Sequence, residues 1–161
     1  MQRNWPEPVQ RVAAYLRAAA IDATVQEFPE GTPTAQAAAE AVGCEPGRIV
    51  KSLVFVCDGR YVLALVPGDR RSDERKVATA AGATHARIAQ ADEVLHATGF
   101  EPGAVAPFPL RAVAWTFIDR LLLQHANVWI GAGSSSHMAM LSPADLQRLS
   151  GARTADLVAH G

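Results

Sequence analysis

Apolar positions along the chain change period several times, and each change marks a predicted element. Val9, Val12, Ala13, Leu16 and Ala20 recur at helical spacing behind Trp5-Pro6-Glu7-Pro8, which predicts an amphipathic helix of about three to four turns. Ala23–Phe28 reads as a short strand, and PEGTPT as a loop in which Thr34 caps an Ala-rich helix ending near Gly43. After the CEPG turn, Ile49–Cys57 has the Val, Leu, Ile and Phe content of a buried strand. Asp58-Gly59 is a strong hairpin signal and joins that strand to a second one, Tyr61–Val66.

Beyond PGDRRS, Ser72 is the expected cap of a helix with Asp73 and Glu74 in its first turn and Gly82 at its end. Ala86–Ile88 is a short strand and Ala91–Thr98 a short helix stopped by Gly99. FEPGAVAPFPL is too broken by proline and glycine for regular structure. Ala112–Ile118, Asn127–Ile130 and Met138–Leu141 are strand-like, with Gly131–His137 as a loop. Ser142-Pro143-Ala144-Asp145 opens a last helix through Leu149, closed by Gly151. The pattern predicts one α+β (mixed α/β) domain over 1–161, with helices packed around a sheet of six or more strands.

Composition narrows the setting. The chain has 161 residues, 49% of them hydrophobic and 19% charged, enough for a packed core and too apolar for disorder. No apolar run approaches the ~20 residues of a membrane-spanning helix, and MQRNWPEPVQ lacks the order of a signal peptide. Cys44 and Cys57 support neither a disulfide framework nor a zinc site, so the expected setting is the cytoplasm. A net charge of −1 excludes a protein that grips long nucleic acid through many phosphates; contact with a short end remains open. Thirteen of the 15 basic residues are arginine, and only Lys51 and Lys76 are lysine.

Candidate chemistry starts with Lys51. On a strand it shares a face with Ile49, Leu53 and Phe55, so a cation stands among large apolar side chains. Snorkelling at a sheet edge is the more frequent arrangement. The other is a fixed cation for phosphate or an oxyanion, or a nucleophile. Gly131-Ala132-Gly133-Ser134 reads equally as an anion-binding nest or as a hairpin turn with a polar tip. Adjacent Ser136 and His137 face opposite ways on a strand and make no nucleophilic pair. Gly103-Ala104-Val105-Ala106-Pro107 suits either a preshaped ligand wall or a plain connector. The other histidines show no metal-ligand spacing, and Cys57 reads as a small core residue. Arg70, Arg71, Arg75 and Lys76 alternate with acids, the usual composition of a solvated face, although such a face can also meet phosphates.

Taken in order, FPEGTPTAQAAAEAVGCEPGRIVKSLVF, LVPGDRRSDERKVATAAGA, TGFEPGAVAPF and VWIGAGSSSHMAMLSPADL resemble the YbaK/prolyl-tRNA-synthetase-associated domain family, from about residue 9 to 158. The resemblance implies a strongly curved, mostly antiparallel sheet and aminoacyl-tRNA deacylase activity in trans. The substrate class that the resemblance implies is Ala- or Cys-tRNA for proline. The family's strand lysine matches Lys51, with Ser52 beside it; its GxxxP loop matches Gly103, Ala104, Val105 and Pro107. Its late glycine turn matches Gly131, Ala132, Gly133 and Ser134, and its threonine at the second helix matches Thr34. The implied mechanism is substrate-assisted, with Lys51 as positioning cation and neither cofactor nor metal. Implied partners are the acceptor end of a mischarged tRNA and an aminoacyl-tRNA synthetase. A non-catalytic member that binds an amino acid, nucleotide or protein in the same pocket is the alternative. His and Met within Ser135–Met140, and Glu27-Phe28 in place of a Glu-His pair, leave the amino acid open.

Overall fold

The computed structural model describes residues 4–160. Helix α1 (Glu7–Ala18) buries Val9, Val12, Ala13 and Leu16, the stripe that the helical spacing predicts. Strand β1 (Val25–Glu27) precedes α2 (Ala35–Val42), where Thr34 accepts a hydrogen bond from the Ala37 N–H and Gly43 ends the helix at φ +74°. A short 3₁₀ turn, Pro46–Arg48, feeds β2 (Val50–Cys57), which pairs antiparallel with β3 (Arg60–Pro67) along its whole length. Asp58 and Gly59 both have positive φ, the geometry that a two-residue hairpin turn needs.

Helix α3 (Glu74–Ala81) is capped by Asp73, not by Ser72, because Ser72 forms an isolated bridge with Val158. Strand β4 (Ala86–Ile88), α4 (Ala91–Thr98) and β5 (Trp115–Asp119) follow, with irregular chain across the proline-broken stretch between the last two. Strand β6 (Val128–Ser134) runs through the glycines expected to form a loop, so the turn to β7 (His137–Leu141) shrinks to Ser135-Ser136. Helix α5 (Pro143–Ser150), capped by Ser142, leads to β8 (Arg153–Ala155), a strand too short to announce itself in the pattern. Among the described residues, no helix is long and apolar enough to cross a membrane.

Helices pack with strands as expected for an α+β fold, but the single sheet of six or more strands is replaced by two. One has the order β1-β7-β6 and the other β4-β2-β3-β5-β8. Four of the six pairings are antiparallel; β3-β5 and β5-β8 are parallel. Among the described residues only one bridge, Ile49 with Trp129, links the two sheets. They part there because β4 covers β2 only at Phe55–Cys57, and because β6 breaks register between Gly131 and Ser134. The Val50–Leu53 end of β2 therefore has an open edge towards the second sheet.

Burial explains why β3 is almost wholly apolar. Leu63 and Leu65 enter the larger core with Phe100, Ile118, Ile130 and Leu146, while Val62, Ala64 and Val66 enter a second core with Phe55, Val77 and Leu157. Both faces of that strand are covered, so alternation disappears. Lys51 belongs to the face of the second core, whereas Val50 and Val54 on the opposite face join the larger one.

Candidate functional site

Between the diverging sheets lies a cavity of about 560 Å³, in the size range of small-ligand sites. Three segments that are far apart in sequence line it: Ile49 and the start of β2 through Leu53, Gly103–Val105 from the irregular stretch, and Gly131, Ser134, His137 and Met138 from the β6-β7 hairpin. The loop before α2 closes one side with Thr32 and Thr34. That loop is fixed on the hairpin turn, since the Thr32 N–H and hydroxyl both donate to the Ser135 carbonyl, at 2.6 and 3.0 Å.

Lys51 is half-buried, and its ammonium donates to the Arg70 carbonyl at 2.5 Å. Burial pushes its pKa down from the usual lysine value, opposed by the Asp69 carboxylate. The stem thus runs along apolar surface as snorkelling requires, but the ammonium ends on a backbone carbonyl between two cavities. Ser52 lines the same cavity, while its hydroxyl is buried with no hydrogen-bond partner among the described residues. An orphaned buried hydroxyl is unfavourable.

Of the wall residues, Gly103, Ala104 and Val105 face the cavity, with Gly103 at φ +82°. Pro107 does not line it; this residue and its neighbours Ala106 and Phe108 are buried and anchor the wall. The Ala104 N–H already donates to the Glu101 carbonyl at 2.9 Å, so it is not a free donor for an anion. On the hairpin, Gly131 approaches the wall so closely that a Cβ there would lie 3.2 Å from the Val105 carbonyl oxygen. Ala132 is instead fully buried in the larger core, and Gly133 packs against the backbone of Pro8 and Val9. Four consecutive residues of a strand cannot all face one cavity, because side chains alternate.

His137 is the residue that sequence reasoning missed. It is 2% exposed, and its Nδ1 lies 2.6 Å from the Ser134 hydroxyl. Its Nε2 has no hydrogen-bond partner and lies 3.9 Å from a Glu27 carboxylate oxygen, while Trp5 packs edge-on at 5.1 Å. A ring with a carboxylate facing Nε2 favours the tautomer protonated there, which leaves Nδ1 to accept from Ser134. The Ser134 oxygen in turn accepts from the Ser136 N–H at 3.0 Å. Burial lowers the His137 pKa, with Glu27 opposing, so the ring is neutral at pH 7. The rule against adjacent Ser-His pairs holds for Ser136, but Ser134 sits opposite His137 across the hairpin. Placing the turn at Ser135-Ser136 would have revealed the pair.

The profile of the aminoacyl-tRNA editing domain family matches residues 29–149. The chain is 35% identical over 127 residues to the uncharacterized protein YwhH of Bacillus subtilis (strain 168), covering 78% of this chain and 80% of that protein. It is 33% identical over 112 residues to a proline–tRNA ligase of Bacillus pumilus, covering 69% of this chain but only 20% of the ligase. A crystal structure of a candidate trans-editing enzyme for prolyl tRNA synthetase superposes with a TM-score of 0.90 at 35% identity, covering 98% of this chain and all of that one. The chain belongs to the aminoacyl-tRNA editing domain family, which is related to the proline–tRNA ligases.

Proposed function

We propose that this member of the editing-domain family hydrolyses, in trans, the ester of a mischarged tRNA, with Ala- or Cys-tRNA for proline as its substrate. The observation that carries the reading is the convergence of Lys51, Gly103–Val105 and the Gly131/Ser134 hairpin on one cavity. An aminoacyl ester is already activated, so the protein has only to place a water, receive the oxyanion and reject the correct amino acid.

In this mechanism a ribose hydroxyl of the terminal adenosine takes part in activating the water. The water oxygen bonds to the carbonyl carbon, the ester C–O bond breaks, and the departing ribose oxygen takes up the proton. Lys51 holds the terminal phosphate or ester end by charge-assisted hydrogen bonds, strengthened by its apolar surroundings. With the Ala104 N–H engaged, the Gly131–Ser134 backbone is the better source of an oxyanion donor, worth a few kcal/mol per donor in other enzymes. Ser52 lines the cavity beside Lys51, and Thr34 bounds the entrance. Contact between Gly131 and the Val105 carbonyl fixes the width of the pocket, which favours small side chains over proline. Exclusion by size suits such a site, because binding alone discriminates by about 1–3 kcal/mol per methylene.

The test is a deacylation panel across mischarged tRNAs with the wild type and Lys51→Ala. Cleavage of Ala- or Cys-tRNA for proline by the wild type, lost in the variant, is the expected result. A wild type that cleaves none of them while binding a free amino acid or nucleotide tightly would establish the non-catalytic alternative instead.

A further inference from the structure

Lys51 separates the cavity described above from a second, wider one. The second is an open cleft of about 1150 Å³ whose lining includes Lys51, Arg70, Arg71, Arg75 and His160. We propose that this cleft is the docking surface for the phosphate backbone of an RNA acceptor duplex, an inference that rests on the deacylase reading.

Several of the described arginines elsewhere have side-chain partners. Arg11, Arg87, Arg120 and Arg148 each pair with a carboxylate, and Arg153 stacks on Trp115. Arg70, Arg71 and Arg75 are exposed, and among the described residues their guanidinium groups make no ion pair or hydrogen bond. Their backbone, by contrast, is held from several sides. Arg70 N–H donates to the Pro67 carbonyl, the Arg71 carbonyl accepts from Ala159, and Asp73 N–H donates to Leu157. Lys51 reaches the Arg70 carbonyl from below. A fixed backbone that presents unpaired guanidinium forks is suited to bidentate contact with phosphate oxygens.

Asp69, Asp73 and Glu74 share the cleft, and the chemistry must account for them. Asp73 is committed to the α3 cap, accepting from the Arg75 and Lys76 N–H groups. Asp69 lies where a Cβ on Gly47 would meet it at 3.1 Å, and it faces Lys51. All three carboxylates stand against Lys51 and the three arginines, so the excess of positive charge in the cleft is small. This balance disfavours extended non-specific RNA binding and suits a contact of a few phosphates, in keeping with the net charge of −1. Because Lys51 belongs to both cavities, an RNA end can lie in the cleft while its terminal ester enters the smaller cavity.

The experiment compares the wild type with R70Q/R71Q/R75Q on two substrates carrying the same amino acid, a full tRNA and a CCA trinucleotide ester. Three phosphate contacts predict a loss of about twenty- to fortyfold in kcat/KM between roughly 50 and 200 mM salt. The variant should lose that part of the salt dependence on tRNA, through KM, and cleave the trinucleotide ester like the wild type. R70K/R71K/R75K should keep the salt dependence with weaker binding. An unchanged salt slope on tRNA in the glutamine variant overturns the proposal, and so does an equal loss on the trinucleotide. Binding of an uncharged RNA minihelix, read by fluorescence anisotropy, gives a result even if the wild type cleaves neither ester: that outcome overturns the deacylase reading. Weaker minihelix binding by the variant would still support the docking surface. Equal binding of an acidic peptide by the wild type would overturn RNA as the occupant.

Discussion

Gly131 and Gly133 are two residues apart on one strand, yet alanine should have very different consequences at the two positions. Gly133 has φ +100°, and a Cβ there would lie 2.8 Å from both the carbonyl carbon and oxygen of Pro8, and 2.9 Å from the Val9 nitrogen. The left-handed backbone alone costs an L-residue about 1–2 kcal/mol. Forcing the start of α1 away adds about 1–3 kcal/mol, as overpacking does elsewhere. Gly133→Ala should therefore lose about 2–5 kcal/mol, a large part of the ~5–15 kcal/mol that holds a domain together. Gly131 has no positive φ, and its only close neighbour would be the Val105 carbonyl oxygen at 3.2 Å. Alanine in a strand regains about 0.5–1 kcal/mol of backbone entropy, which offsets that contact. Gly131→Ala should stay within about 1 kcal/mol of the wild type, while the Val105 wall shifts and narrows the cavity. Urea melts give the first comparison, with thermal midpoints expected to fall by about 4–20 °C for Gly133→Ala. Deacylation gives the second, with KM rising in Gly131→Ala for Cys- more than for Ala-tRNA. A Gly133→Ala protein as stable as the wild type, or a Gly131→Ala protein that loses as much stability as Gly133→Ala, would refute the reasoning.

Three further outcomes follow from the same geometry. Lys51→Met removes one hydrogen bond to Arg70 but also a half-buried charge, so its stability should lie within about 1 kcal/mol of the wild type by urea melt, while kcat/KM falls about 10- to 150-fold. For His137, whose folded pKa lies below the ordinary 6.5, stability is complete above that value and is lost as pH falls through the lower folded pKa. His137→Gln should remove this part of the acid destabilisation, and parallel wild-type and variant curves of urea midpoint against pH would exclude His137 as its source. Asp119→Ala should lose about 2–4 kcal/mol by urea melt, because the fully buried carboxylate accepts from the Leu121 and Leu157 N–H groups and both would be orphaned.

How far these features could be read in advance depended on whether the cause was local. Thr34 to Gly43 and Asp58-Gly59 were legible because a cap, a left-handed stop and a hairpin turn are set by the residues that form them. Ser72 and Asp73 are both competent caps, and the choice fell to Asp73 only because Val158, distant in sequence, bridges to Ser72. The glycines of β6 look like a loop by composition, but pairing of Gly131 with Met138 carries the strand past them. That extension is what sets Ser134 opposite His137. The cavity itself lies in the gap between two sheets joined by one bridge, and no local signal encodes such a gap. Lys51 stands between these cases. Its apolar face was legible, but its end point was not: the stem lies along buried surface, and the ammonium meets a carbonyl where snorkelling would leave it in water. An ammonium has three donors, and Arg70 accepts one. The remaining two lie at the boundary of the two cavities, where a ligand acceptor from either side can reach the same cation.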